Sequence, residues 1–438
     1  MTDFEVEIEK IVAGGDGLGH HEGRVVFVPG TAPGERHRVR ALREKADYVR
    51  AVSLEILESA PSRRAPPCPY YERCGGCRLM HLRPDSQLEA KKRILLEGVE
   101  RATRAPYTAP LDVHAAGETG YRNRLRFHVV LVAGKPVAGF RRRESHEVVD
   151  IEKCLLGTET LNRAWQRVRR ALLENRPLAR SLVAVELEES THEPGRIAAR
   201  FLVSSSDGLR AFEGGRREEL LAELGLEGLV AAVDEDRGGG PGVRAGLPYV
   251  EHQVSGFALR QSVGSFFQSN RFLLQDLVSS VVSDESETPA ARALDLFCGV
   301  GLFAIPLSKR IRNVVGVESQ GLALKDAREN AERAAAQGGS RVRFVRGDAS
   351  TYAGRAKFSP DDVVILDPPR GGLSPALVEA VGKSALRSIR YVSCDAPALS
   401  RDVSRLAAYG FSIERLALFD LFPNTHHFET VALFSRTR

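Results

Sequence analysis

From about Phe266 to the C-terminus, short apolar runs alternate with longer amphipathic ones, and no other feature of this sequence narrows the fold as much. ARALDLF, NVVGVE, RVRFVRGD, DDVVILD and IRYVSCD read as successive strands, rich in β-branched residues. ENAERAAAQ, PALVEAVGKSALR and PALSRDVSRLAAYG carry helical periodicity between them. Strand–helix alternation with apolar strands predicts a parallel sheet covered on both faces, a doubly wound α/β domain over residues 264–438. Such sheets bind ligands beyond the carboxyl ends of their strands. Here those ends carry acids in succession: Asp295, Glu318, Asp348 and Asp367.

ALDLFCGVGLFAIPL is a strand, a glycine-bearing turn and a helix start, in which the backbone can approach a ligand closely. Gly299-x-Gly301 lacks the third glycine of a nicotinamide fingerprint. Glu318 follows Asp295 by 23 residues, where a carboxylate can accept both ribose hydroxyls of a nucleoside. Asp348 can hold an adenine amine, and Asp367 opens DPPR. The set points to S-adenosylmethionine, with a dinucleotide dehydrogenase as the alternative. Cys394 ends the fifth strand on the same sheet edge. Uracil C5 is a poor nucleophile until a thiolate adds at C6, so a cysteine, a methyl donor and a base to remove the C5 proton form one chemistry. The competing reading of a lone cysteine is a small buried filler.

At ~150 residues per domain, 438 residues suggest about three domains. Residues 1–57 read as a small all-β unit: FEVEIEKIV and RVVFVPG are strands around a turn-rich stretch, Gly14–Gly23, and HRVRALREKADYVRAVSLEIL supplies more. The layout resembles a TRAM domain, a small β-barrel that tracks an RNA backbone. No strand–loop–helix context surrounds GGDGLG, which speaks against a phosphate loop. A proline-rich break, APSRRAPPCP, opens a β-rich central region over 58–263. Its predicted helices are about 86–104, with a basic exposed face, and Thr160–Asn175; DEDRGGGPG near 234–242 reads as a loop. Cys68, Cys74 and Cys77 form C-x5-C-G-G-C, with Cys154 as a distant fourth. Four thiolates hold tetrahedral zinc or an iron–sulfur cluster, and a three-plus-one spacing favours 4Fe–4S.

The formal charge is +5 and the sequence pI about 8.9, with cations concentrated in Arg36–Arg50, Lys91–Arg104, Arg122–Arg126 and Arg141–Arg143. Arg122, Arg124 and Arg126 share one strand face. With Tyr121, Phe127 and Phe140 nearby, they suggest a surface for phosphates and stacked bases. No basic-then-apolar leader and no apolar run of ~20 residues is present, so the expectation is a cytoplasmic protein with no membrane contact and no implied protein partner.

FFQSN at 266–270, DLFCGVG at 295–301, DPPRGGL at 367–373, SCD at 393–395 and FPNTHHFET at 422–430 together resemble the RNA (uracil-5)-methyltransferases, and the resemblance spans essentially the whole chain. The β-barrel and cysteine cluster are similar to the 23S rRNA branch, which implies rRNA rather than tRNA as partner. The resemblance implies Cys394 as nucleophile and Glu429 as base. It also implies Gln268, Phe297, Glu318, Asp348 and Asp367 around the cofactor, with the uracil edge as the alternative place for Asp367, and a 4Fe–4S cluster on Cys68, Cys74, Cys77 and Cys154. In that family the helix around 86–104 packs with the catalytic domain. Leu302 stands where several relatives carry a polar residue and is left out of the set. Two other readings remain: an amino-group methyltransferase, for which Arg370 stands in the aromatic position and Cys394 has no use, and a non-catalytic RNA-binding factor that retains the fold.

Overall fold

The computed structural model describes residues 3–235, 242–283 and 290–436, so most of the loop expected at 234–242 lies outside the described residues. The N-terminal unit is one six-stranded sheet formed by Asp3–Glu7, Lys10–Ile11, Asp16–His21, Arg24–Pro29, Arg36–Glu44 and Tyr48–Glu58. Alternate residues enter a small core of Val6, Ile8, Val26, Val28, Val39 and Val49. The stretch expected as turns, Gly14–Gly23, holds a strand. Its glycines serve close packing: a Cβ on Gly19 would stand 2.1 Å from the Glu7 carbonyl oxygen, and one on Gly17 2.1 Å from Thr31 Oγ1. The arginines of this unit are not a bare cationic patch either. Arg38 pairs with Glu55 at 2.7 Å, Arg40 with Asp3 at 2.7 Å, and Arg36 with Glu58 at 2.5 Å.

The central region is a seven-stranded sheet in the order Val148–Asp150, Lys135–Arg141, Arg124–Val132, Leu182–Glu189, Ile197–Val203, Gly228–Val233, Val243–Gly246. The helix Glu159–Glu174 lays Trp165 against it, stacked on Phe127 at 3.6 Å, and Thr158 caps the helix by accepting from Leu161 N–H. This corrects the expectation of a base-stacking surface. Phe127 and Tyr121 are buried, and Phe127 also stacks on Phe140 at 4.9 Å. Arg124 and Arg126 do share a face, but the neighbouring strand brings Glu188 and Glu186 directly opposite them, and both arginines form ion pairs there.

The C-terminal sheet has eight strands in the order Val342–Arg346, Asn313–Glu318, Arg292–Asp295, Val363–Leu366, Ser388–Ser393, Glu429–Ser435, Ser412–Phe419, Leu111–His114. The first five are parallel, Glu429–Ser435 runs antiparallel to both neighbours, and Leu111–His114 lies parallel to Ser412–Phe419. One face is covered by Leu274–Val282 and Gly321–Ala336, the other by Pro84–Thr103, Pro375–Gly382 and Ala396–Ala407. PALVEAVGKSALR is helical only to Gly382, where the Tyr409 ring fills the space a Cβ would need, 2.4 Å away.

Two earlier segments pack on this sheet. The helix Pro84–Thr103 inserts Leu95 and Val99 into the core, and Gly98 lets it close on Ser400, whose Oγ would lie 2.5 Å from a Cβ. Lys91 is 0% exposed, not on a solvated basic face, and donates to Asp420 Oδ1 at 2.6 Å. The hairpin Tyr249–Val254 and Phe257–Ser262, which precedes residue 264, adds Val254, Phe257 and Leu259 to the opposite core face. Among the described residues no helix is long and apolar enough to cross a membrane.

Candidate active site

The register of one ladder brings two chemical groups together. Ser393 pairs with Thr430, so one step further the two strands place Cys394 and Glu429 side by side at the sheet edge. Asp367 joins them from the adjacent strand, just past Leu366, which pairs with Tyr391. Burial pushes the Cys394 thiol up to about 12, with the Glu429 and Asp367 carboxylates adding to the rise and the Arg370 guanidinium opposing it. Burial likewise raises both carboxyls, and for Glu429, 2% exposed, the charge of Asp367 adds to the effect while Arg370 opposes it. Two acids in one buried site favour holding a single proton between them.

His426 and His427 precede Glu429 in the same loop, with ring centroids 3.9 Å apart. Burial lowers them to about 4 and about 3 respectively; the Arg78 charge adds for His426, and the neighbouring His426 for His427. Both imidazoles are neutral at physiological pH. The loop is gripped from the central region: Asn424, at φ +68°, donates from its backbone N to Gln87 Oε1 at 2.7 Å and accepts from Leu79 N at 2.9 Å. Tyr121 Oη donates to the Pro423 carbonyl at 3.1 Å, and Lys91 Nζ to that of Phe422 at 3.1 Å.

Beside this group lies the glycine turn. Gly299, at φ +53°, has open space where a Cβ would be. Gly301, at φ +95°, is backed by Ile305. Glu318 is held by Gly299 N at 3.0 Å and Gln320 N at 2.6 Å. Asp348 accepts from Thr351 N at 2.8 Å and so caps the helix Ala349–Arg355, with Gly347 N bonded to the Glu318 carbonyl at 3.1 Å. Phe297 is half-buried at the rim of the core. Gln268 arrives separately, buried in a segment pinned by Asn123 N to Ser269 O at 3.0 Å and Asn270 Nδ2 to Leu421 O at 2.8 Å.

Two residues that the sequence placed in motifs without a role of their own also stand at the site. Asp295 Oδ2 accepts from Ala304 N at 3.2 Å, but Oδ1 is buried with no hydrogen-bond partner. Burial, then Asp367, pushes this carboxyl up to about 8. An orphaned carboxylate oxygen beside an open glycine turn fits the ammonium of an amino-acid-bearing cofactor such as S-adenosylmethionine. Its signal was its place at the head of DLFCGVG. Phe266, 69% exposed next to buried Phe267, offers a ring on which a base can stack.

Cys68, Cys74, Cys77 and Cys154 line one cavity of about 490 Å³. Burial raises the Cys74 thiol to about 11 and also raises Cys77 and Cys154, and each of these rises includes a contribution from other thiols of the group. Among the described residues no three His, Cys, Asp or Glu side chains gather tightly enough to hold one metal ion. The cavity offers four thiol donors, the number that a tetrahedral zinc or an iron–sulfur cluster takes.

Residues 248–437 match the family described as tRNA (Uracil-5-)-methyltransferase, and residues 2–54 match the TRAM domain. An RNA methyltransferase of uncharacterised specificity from Aquifex aeolicus is 33% identical over 437 residues, covering 98% of each chain. The 23S rRNA (uracil(1939)-C(5))-methyltransferase RlmD of Shewanella amazonensis is 33% identical, covering 98% of this chain and 95% of that one. The fold is shared with the Pyrococcus abyssi tRNA (uracil-54, C5)-methyltransferase in complex with S-adenosyl-L-homocysteine. That match has a TM-score of 0.74 at 24% identity, over 98% of this chain and 100% of that one.

Proposed function

The chain belongs to the RNA (uracil-5-)-methyltransferase family, and on that premise we propose that it methylates C5 of a uridine in 23S rRNA, in the cytoplasm, through a covalent bond to Cys394. The observation that carries the reading is the ladder register that sets Cys394 against Glu429, with Asp367 alongside. S-adenosylmethionine, when bound, supplies an electrophilic methyl on a sulfonium. The chain's residues do the rest. Cys394 sulfur bonds to C6 as its proton passes to Asp367, and the electron pair displaced from the C5=C6 bond makes C5 nucleophilic. After C5 has gained the methyl, Glu429 takes the C5 proton, the double bond re-forms and the thiolate departs. Asp367, beside Glu429, takes up or returns the proton the pair shares. An amino-group methyltransferase has no use for the thiol–carboxylate pair.

RlmD relatives that this chain matches over nearly their whole length support rRNA over tRNA as substrate. The experiment is incubation with 23S rRNA and tRNA transcripts carrying 5-fluorouridine. Fluorine at C5 cannot leave as a proton does, so the enzyme stalls as a denaturation-resistant adduct after methyl transfer. Adduct on the 23S transcript but not on tRNA is expected. The absence of any adduct would count against covalent catalysis, and adduct on tRNA alone would count against the rRNA reading.

Glu318, Asp348, Phe297 and Gln268 are proposed to hold the cofactor, with Asp295 receiving its ammonium. Burial, with the charge of Asp367, raises the Asp295 carboxyl to about 8 and so favours its protonated form in the free protein at pH 7. A cationic ligand favours the carboxylate, so binding should release a proton, and affinity should rise as pH increases toward about 8 and level off above it. Calorimetry in buffers of different ionisation enthalpy measures this; Asp295→Asn should lose the proton release. An unchanged proton count in that variant would move the linkage elsewhere.

Cys68, Cys74, Cys77 and Cys154 are proposed to carry a 4Fe–4S cluster, which when bound would supply negative charge there and tie Cys154 to the Cys68–Cys77 segment.

A further inference from the structure

We propose that Arg122 is a positioning residue through which the four-cysteine site holds the loop 420–428, and therefore Glu429, in its working geometry. The proposal rests on the reading of that site as an iron–sulfur site.

Arg122 occupies the seam between the two sites with both backbone edges. On one side its N donates to Leu156 O at 2.8 Å and its carbonyl accepts from Thr158 N at 3.3 Å, immediately beyond Cys154. On the other it bridges to Asn270, whose Nδ2 donates to Leu421 O at 2.8 Å. The side chain repeats the link. It lines the cysteine cavity, and its guanidinium carbon lies 5.7 Å from the centre of the Phe422 ring and 5.8 Å from that of Tyr121. Tyr121 in turn donates to Pro423 O.

A guanidinium cannot shed its charge, and burying one without an anion is costly. Arg122 Nε is buried with no hydrogen-bond partner, and no carboxylate among the described residues pairs with this arginine. After the Tyr121 phenol, the acidic groups that act on it most are Cys154 and Cys77. Thiols bound to iron are thiolates, and a four-thiolate cluster carries net negative charge, so a loaded site supplies the missing counter-charge. An empty one leaves a half-buried cation, its Nε shut off from water, whose relief is to turn outward, away from Phe422. The loop then loses a cation–π contact and the packing that holds it over Glu429.

The test compares hydrogen exchange of the 420–430 amides in the full-length protein, iron-loaded and after anaerobic removal of iron by chelation. Iron content is measured on the same samples. Removal is expected to accelerate exchange in this loop by roughly tenfold in the native protein. Arg122→Met, with iron bound, should already show the fast exchange and change little on stripping. Arg122→Lys should behave as native, which a purely steric role would not predict. Should Arg122→Met fail to fold, Phe422→Leu removes the ring from beneath the guanidinium and should likewise uncouple the loop from iron. Loaded protein whose loop ignores iron removal, or an Arg122→Met loop that still responds fully, would overturn the proposal. Anaerobically purified protein with no iron would instead sink the cluster reading, and the coupling with it.

Discussion

Cys394→Ala is expected to lower turnover by at least about four orders of magnitude while leaving S-adenosylmethionine affinity within about twofold of native. The asymmetry follows from the site. Uracil C5 becomes nucleophilic only once sulfur has added at C6, and alanine offers no group for that step. The carboxylates of the cofactor side, Asp295 and Glu318, are held by Ala304, Gly299 and Gln320 and do not depend on the thiol. With the thiol pushed up to about 12 by burial and the Glu429 and Asp367 charges, little free thiolate is present at pH 7. The sulfur must therefore lose its proton as it attacks, and Asp367, which remains when Glu429 is replaced, is the carboxylate to take it. Transfer of labelled methyl to RNA, with equilibrium dialysis of the cofactor, checks both halves. Appreciable 5-methyluridine formed by the alanine variant would remove Cys394 from the reaction.

Glu429→Gln should fail at a different point and leave a visible product. The amide keeps the size of the buried carboxyl, so Cys394 should still attack and methylation should still proceed. Release then lacks its base, and turnover should fall by ~10²–10⁴ while protein–RNA adduct accumulates with the transferred methyl on it. His426 and His427 are the rival bases, but imidazoles lowered to about 4 and about 3 are feeble proton acceptors. A buried carboxyl raised above its usual range accepts a proton more readily. Denaturing gels with methyl-labelled cofactor read the adduct directly. Normal turnover by Glu429→Gln, together with adduct in a His427→Ala variant, would transfer the role to the histidine.

What could be read from the sequence divides along physical lines. The five parallel strands were legible because buried strands are apolar throughout and end on functional acids, as Asp295, Glu318 and Asp367 do. The strands Ser412–Phe419 and Glu429–Ser435 were not assigned, since their pairing depends on chain returning from a loop that reads as motif. Asp16–His21 was hidden by its glycines, which look like turn residues and in fact relieve contacts with Glu7 and Thr31. The arginines misled most. Their spacing on one face was right for Arg124 and Arg126, but which charges oppose them depends on the neighbouring strand, and Glu186 and Glu188 lie about 60 residues away. The candidate site residues were legible as types at strand ends. That Cys394 and Glu429 meet is a matter of ladder register, which no local pattern contains.

The last strand of the catalytic sheet, Leu111–His114, pairs with Ser412–Phe419 across some three hundred residues of chain. On the ribosome, at ~5–20 residues per second, the earlier partner waits roughly 15 to 60 s for the later one. For much of that interval, until the strands from Arg292 onward have emerged, the apolar stripe of Pro84–Thr103 has no sheet to cover. A C-terminal fragment would meet the mirror-image difficulty, with Ser412–Phe419 left as an open edge inviting pairing between molecules. The enzyme is thus assembled as a closed circuit of chain: its beginning and its end mature together, and neither half has a finished surface to live on by itself.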